Sequence, residues 1–288
     1  MSQFRTFIEL LKIKYWIKNF LILIPIFFAT IIPDYSMVLE LIMLFFIFSL
    51  SASTIYIFND IIDKDRDKIN LTKKNRPIAS GQITLKNSIL ISLVLLAILI
   101  MVLIIAKSNV LNLLIISYFL VSFIYSFVFK KYFFIDVCTL SIFYILRVLT
   151  PIYYFNLNFS YWLILIIFVS VLLVGFGKRY MDINNNLSNN GFVSIYTKKQ
   201  LIYLILVSAI ILQILYVFFS FSDGSISRYG ENFYITGIIT FLGISRYLYS
   251  LFKLNFTDPV EIFIKDKYFI FILMTYLAFN IFLIYIFL

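Results

Sequence analysis

One short polar stretch, Asn59 to Gly81, carries the residues best suited to chemistry; it reads NDIIDKDRDKINLTKKNRPIASG. Asp60, Asp63, Asp65 and Asp67 are four of the fourteen acidic residues in the chain, and seven basic residues lie between Lys64 and Lys86. Asp60, Asp63 and Asp67 fall at i, i+3 and i+7, which is one face of a continuing helix. Three carboxylates on one face repel one another unless a cation sits among them. Oxygen ligands with no His or Cys beside them suit Mg²⁺ or Mn²⁺ and not zinc. Mg²⁺ keeps several waters and binds through one or two carboxylates plus substrate phosphates. Lys73, Lys74 and Arg76 follow closely enough to hold phosphate oxygens. Asp65 points off the shared face, toward solvent. The pattern predicts a metal–diphosphate site; the alternative is a charged loop that binds nothing.

The elements that must position this stretch are membrane spans. The chain has 288 residues, 62% hydrophobic and 20% aromatic, with a mean hydropathy of +1.01. That composition is outside the range of a soluble domain and predicts an all-α polytopic membrane protein. There is no His, which excludes a His general base, a His metal ligand and a Ser-His-Asp triad. The single Cys138 excludes an internal disulfide. The net charge of +10 is explained by membrane topology and phosphate-bearing ligands, with no nucleic acid implied. The N-terminus does not read as a cleavable signal.

Hydropathy predicts nine spans, near 19–33, 37–58, 88–106, 110–129, 133–152, 161–177, 200–220, 233–252 and 268–288. Residues 1–18 read as an interfacial amphipathic helix, with Arg5, Lys12, Lys14 and Lys18 among apolar residues. With the N-terminus cytoplasmic, twenty Lys and Arg fall on cytoplasmic segments. Only Lys107 and Arg228 fall on the other side, while Arg147 and Arg246 lie within or at the ends of spans. That asymmetry predicts a plasma or inner membrane protein whose polar loops are cytoplasmic and whose C-terminus is outside. The whole chain reads as one domain, 1–288, with two related halves that each carry a polar loop.

A second polar cluster, Gly175 to Asp182, ends the sixth span. Lys178 and Arg179 are adjacent candidate phosphate binders, and Asp182 joins a metal site or pairs with them; the alternative is a positive-inside anchor. The Asn184–Asn190 run reads as a loop. Lys130-Lys131 reads as a tight cytoplasmic turn. Asp136 and Arg147 lie inside the fifth span, where ionisable residues face a bundle interior. They are eleven residues apart and do not pair directly. Asp258, Glu261 and Asp266 occupy the last cytoplasmic loop, as a cover for the site or as a solvated connector.

The motif Asn59-Asp60-x-x-Asp63-x-x-x-Asp67, followed by Lys74-x-Arg76-Pro77-Ile78-Ala79-Ser80-Gly81, resembles the first signature of the UbiA-type polyprenyltransferase superfamily. The resemblance implies nine helices around a central cavity, with Mg²⁺ bridging a diphosphate to the Asp motif. Typical members carry D-x-x-x-D in the second motif. Here Gly177-Lys178-Arg179-x-x-Asp182 has basic residues and one carboxylate, which is similar to the decaprenyl-phosphate phosphoribosyltransferase branch. Trp16-x-Lys18-Asn19, Ile145-x-Arg147, Ser245-Arg246-Tyr247 and Asp258-Pro259-x-Glu261 are similar to that branch as well.

The branch implies transfer of 5-phosphoribosyl from 5-phosphoribose 1-diphosphate to a polyprenyl phosphate, with a place in cell-wall biosynthesis. Asp60, Asp63 and Asp67 then hold Mg²⁺ (or Mn²⁺), and Asn59 acts with Asp60 and Asp63 at the donor. Lys18, Asn19, Lys74, Arg76, Arg147, Lys178, Arg179 and Asp182 bind substrate. Two other readings stand beside it: prenyl transfer from a polyprenyl diphosphate to an aromatic acceptor, and a transporter or lipid-binding protein without chemistry. Polyprenyl phosphates of different chain length and a homo-oligomer are compatible with this reading.

Overall fold

A bilayer offers the backbone no hydrogen-bond partners, so long apolar runs close their own bonds as helices. The computed structural model describes residues 3–69, 73–158, 160–184, 196–254 and 256–287, and no strand occurs among them. The helices are α1 (Gln3–Leu11), α2 (Ile24–Phe28), α3 (Tyr35–Ile62), α4 (Lys64–Ile69), α5 (Leu85–Ala106), α6 (Asn109–Phe127) and α7 (Ile135–Tyr154). They continue with α8 (Tyr161–Asn184), α9 (Lys198–Ser220), α10 (Asp223–Tyr229), α11 (Thr236–Lys253), α12 (Pro259–Lys265) and α13 (Lys267–Phe287). Beyond Asn184, the Asn-rich run expected as a loop lies outside the described residues.

Side-chain caps set several helix starts. Asp34 accepts from Met37 N at 2.8 Å, Thr84 from Asn87 N at 3.2 Å and Ser108 from Leu111 N at 3.3 Å. Thr197 and Gln200 form a reciprocal capping box on α9. Inside the spans, hydroxyls turn back on their own helix. Ser51, Thr54, Ser122 and Thr150 each donate to the carbonyl four residues earlier, which satisfies polar groups in an apolar setting.

Among the described residues seven helices are long and apolar enough to cross a membrane: α3, α5, α6, α7, α8, α9 and the stretch Glu231–Lys253 that includes α11. Lys267–Leu283 in α13 is a shorter apolar helix. The chain is thus a multi-pass, all-α membrane protein. The first expected span is not a single helix. Residues Ile13–Leu23 wind as a 3₁₀ helix, and α2 begins afresh with Pro25 in its first turn. Proline has no N–H to continue a hydrogen-bond ladder, so it starts a helix more readily than it extends one. The amphipathic N-terminal helix also stops early, at Leu11, because Lys12 takes a left-handed conformation (φ +52°).

The chain divides into two compact units. The first comprises 1–132 and 143–158, and the second 133–142 and 159–288, so α7 contributes to both. In the first, Ile22, Leu44, Ile47, Phe48, Leu111 and Ile115 form one core, and Leu10, Ile57, Ile78 and Leu95 form another under the polar stretch. In the second, Val137, Leu173, Phe176, Leu201, Ile205 and Leu251 pack α8 and α9 with α11.

Candidate functional site

The Asp stretch sits at the end of α3 in the first unit. α3 closes at Ile62 and α4 opens at Lys64, so the expected continuous helix is interrupted at Asp63. The three carboxylates consequently part. Asp60 and Asp67 are buried, 2% and 3% exposed. They meet on one guanidinium nitrogen: Arg76 Nη1 donates to Asp60 Oδ1 at 2.8 Å and to Asp67 Oδ2 at 2.7 Å. Arg76 reaches them from a turn in which Ser80 N bonds the Arg76 carbonyl and Ile83 N the Pro77 carbonyl. Ile78, buried directly after Pro77, anchors that turn in the core.

Lys12 completes the group. Its Nζ donates to Asp60 Oδ1 at 2.6 Å, and its left-handed backbone is what turns the chain there. Burial pushes the Lys12 ammonium below its ordinary value of 10.5, against the pull of Asp60 beside it. Asp63 lies apart from this group, with Lys130 Nζ at 3.6 Å and Arg66 Nη1 at 3.7 Å. A pocket of about 360 Å³ opens beside it, lined by Asp63, Asp65, Arg66, Ser126, Lys130 and Lys131 among others. Asn59 accepts from Ser126 Oγ at 2.7 Å. Lys74 is exposed, and Lys73 lies 4.0 Å from Asp67.

Among the described residues no three His, Cys, Asp or Glu side chains gather closely enough to hold a metal by themselves. The donor set nevertheless fits Mg²⁺, which needs only one or two carboxylates when phosphates supply the rest. Among the described residues Asp60 Oδ2 is buried without a hydrogen-bond partner. An unpaired buried carboxylate oxygen is costly, and a cation beside it would offset that cost.

Lys18 and Arg147, also in the first unit, share the Tyr144 ring, at 5.8 and 5.7 Å, with Asn19 beside Arg147. Asn19 accepts from Arg147 Nε at 2.7 Å and donates to Ser49 Oγ at 2.9 Å.

The second unit holds Lys178, Arg179 and Asp182 on the last turns of α8. Each cation meets a carboxylate. Lys178 Nζ lies 2.6 Å from Asp258 Oδ2, and Asp258 also caps α12. Arg179 lies 2.9 Å from Asp136 and 3.9 Å from Asp182. Asp136, fully buried, also accepts from the Tyr196 hydroxyl. Burial and the Asp136 carboxylate push that hydroxyl far above its ordinary value. In the last loop, Arg246 pairs with Asp266 at 3.0 Å.

Sequence reasoning passed over Lys12, Ser126, Lys130 and Tyr196. Lys12 and Lys130 carried a signal, charge at a span end, but nothing local points to partners 48 and 67 residues away.

Known proteins share this architecture. The UbiA prenyltransferase family pattern matches residues 22–273. Decaprenyl-phosphate phosphoribosyltransferase of Mycobacterium tuberculosis is a distant full-length homologue, 26% identical over 270 residues, covering 90% of this chain and 88% of that protein. The uncharacterized protein y4nM of Sinorhizobium fredii is 31% identical over 179 residues, 62% of this chain; the match spans about a third of that relative (34%). A solved UbiA homologue from Archaeoglobus fulgidus, bound to GPP and Mg²⁺, has the same fold, with a TM-score of 0.69 at 15% identity over 97% of this chain and 99% of that one. The family pattern covers most of the chain and the fold agrees along its length: this chain belongs to the UbiA prenyltransferase family.

Proposed function

We propose that this membrane transferase moves 5-phosphoribosyl from 5-phosphoribose 1-diphosphate to a polyprenyl phosphate and releases diphosphate. The observation that carries the reading is the Asp60 group: a buried carboxylate clamped by Lys12 and Arg76, with one oxygen still unpartnered. The choice of donor is supported by the distant full-length likeness to phosphoribosyltransferases and by cations at Lys178-Arg179 where D-x-x-x-D would stand.

Asp60 and Asp67, which share Arg76, are the residues that would hold Mg²⁺ or Mn²⁺ together with phosphate oxygens, and Asp63, beside Lys130 in this structure, would turn in to join them. When bound, the metal supplies charge neutralisation for the diphosphate. Arg76 is shared between two carboxylates and turns to phosphate oxygens when their charge is met otherwise. Lys74 adds a second cation from the same turn. Lys178 and Arg179 hold further phosphate, with Asp182 setting Arg179. Asn59 hydrogen-bonds the donor, and Lys18, Asn19 and Arg147 bind substrate. In the reaction an oxygen of the lipid phosphate attacks the ribose C1. The bond from C1 to the diphosphate oxygen breaks, and the electron pair leaves with diphosphate. The C1 centre passes through oxocarbenium character, as in glycosyl transfer. A phosphate monoester is already an anion, so the reaction needs no general base and a chain without His can run it.

The same reading takes nine crossings, cytoplasmic N-terminus and polar loops, an external C-terminus, one domain over 1–288 and room for a homo-oligomer. The twenty-to-two division of Lys and Arg supports this orientation. The second reading is prenyl transfer to an aromatic acceptor, favoured by the GPP bound in the A. fulgidus relative. A two-label assay separates them. Label from phosphoribosyl diphosphate should enter the lipid phase with undecaprenyl or decaprenyl phosphate present. Label that enters an aromatic acceptor only from a prenyl diphosphate would replace the first reading by the second.

A further inference from the structure

Five charged side chains are buried among the described residues: Asp60, Asp67, Asp136, Asp266 and Arg147. The four carboxylates each meet a cation: Asp60 and Asp67 meet Arg76, Asp136 meets Arg179 and Asp266 meets Arg246. Among the described residues Arg147 meets no anion. It lies twelve residues along α7 from Ile135, about 18 Å at 1.5 Å per residue, well inside a span. Its guanidinium donates to three neutral oxygens: Asn19 Oδ1 at 2.7 Å, the Phe143 carbonyl at 2.6 Å and the Tyr118 hydroxyl at 2.8 Å. The rings of Tyr118, Tyr144 and Phe48 lie 5.0, 5.7 and 5.8 Å from it.

A second cation shares the place. Lys18 Nζ lies 5.8 Å from the same Tyr144 ring and 5.1 Å from that of Tyr15. Lys18 and Arg147 both belong to the first unit, and no carboxylate there lies within ion-pair distance of either among the described residues.

A cation in a span costs several kcal/mol unless it is paired, and two together cost more. Aromatic faces return about 0.5–2 kcal/mol per contact and carry no net charge. The group is therefore short of about two negative charges. Its donors show what shape of anion fits. Arg147 has five N–H groups, of which three are used, leaving one on each terminal nitrogen. Two parallel N–H groups on the guanidinium fork match two oxygens of one oxyanion. Asn19, itself buried and held by Ser49, takes Nε and so leaves the free N–H groups on the two terminal nitrogens. A carboxylate would supply one negative charge. A phosphate monoester carries about −1.5 to −2 at pH 7, close to the two cations present.

We infer that Lys18 and Arg147 form a subsite for a phosphate monoester, built without the carboxylates of Asp60 and Asp67. This deepens the phosphoribosyl reading and rests on it for the identity of the ligand: both the 5-phosphate of the donor and the phosphate of the acceptor lipid are monoesters.

The test is calorimetric titration of the full chain in neutral-lipid nanodiscs with chelator present. Ribose 5-phosphate probes the donor source, and geranyl monophosphate the acceptor source. One of the two should bind without metal. Arg147→Lys keeps the charge but loses the fork, and Lys18→Met keeps most of the packing. Each should weaken binding by roughly tenfold or more. A merely structural role would not move the second ionisation of the bound phosphate; here ³¹P resonance should show it lowered in wild type and returned toward its free value in Lys18→Met. Absence of binding by both probes, or equal binding in wild type and both folded variants, overturns the inference. Phosphoribosyl transfer with an unchanged KM in both variants would overturn it too and leave the proposed function standing. Metal-independent phosphate binding in a protein that transfers no phosphoribosyl would support the subsite and sink the proposed function.

Discussion

Lys12 and Asp60 are 48 residues apart in sequence and 2.6 Å apart in the structure, so their coupling reports directly on the architecture of the site. The perturbation is a double-mutant cycle: Lys12→Met, Asp60→Asn and the pair. The side chains are 13% and 3% exposed, so solvent screens them little. A charge-assisted hydrogen bond in that setting contributes about 1.5–3 kcal/mol, whereas an exposed ion pair contributes about 0–1. Asp60→Asn alone should cost about 3 kcal/mol, at the low end for breaking a buried pair. The loss is limited because Arg76 keeps its contact with Asp67 at 2.7 Å. Lys12→Met should cost less, since Asp60 keeps Arg76. The coupling left after subtracting the single variants should be about 2 kcal/mol. Unfolding of the purified protein in mild detergent measures all four corners. A coupling below about 0.5 kcal/mol would refute the placement of Lys12 on the Asp stretch.

Three further outcomes follow from the geometry. A Cβ on Gly175 would stand 2.5 Å from Val137 Cγ1, which is fully buried, so Gly175→Ala should cost about 1–3 kcal/mol in the same unfolding assay. Burial raises the Asp266 carboxyl, but bonds from Arg246 and Ser250 outweigh it and hold the group below its ordinary 3.8. Asp266 therefore stabilises the fold above pH 3.8 and loses that contribution as pH falls through its lower folded value; unfolding measured against pH should lose this part of its acid slope in Asp266→Asn. Lys130→Met frees Asp63 from its 3.6 Å partner and should lower turnover about tenfold with little change in stability, as steady-state kinetics beside a thermal scan would show.

Helices bounded by clear polar caps were legible in the sequence. The run 88–106 extends only to Leu85 behind its cap Thr84, and 110–129 becomes Asn109–Phe127 behind Ser108. The first span was not legible as drawn, because hydropathy counts apolar residues and is blind to the 3₁₀ winding of Ile13–Leu23 and the restart at Pro25. Periodicity fared similarly at the Asp stretch. The i, i+3, i+7 rule holds only while a helix continues, and the break at Asp63 leaves Asp60 and Asp67 together and turns Asp63 to Lys130. Lys178 and Arg179 read as adjacent phosphate binders with Asp182 as a local partner, and Arg179 does lie 3.9 Å from Asp182. Their nearer carboxylates arrive from Asp258 and Asp136, 80 and 43 residues away, beyond the reach of any local pattern.

The central claim is that the Asp60 group binds the diphosphate that leaves. Turnover with undecaprenyl phosphate, Mg²⁺ and labelled phosphoribosyl diphosphate, for wild type and Asp60→Asn in detergent, tests it most directly. The account predicts lipid-soluble label and an equal release of diphosphate in wild type. Both should fall at least about a hundredfold in Asp60→Asn and with chelator. Label that persists undiminished in Asp60→Asn, with the variant folded, would contradict it.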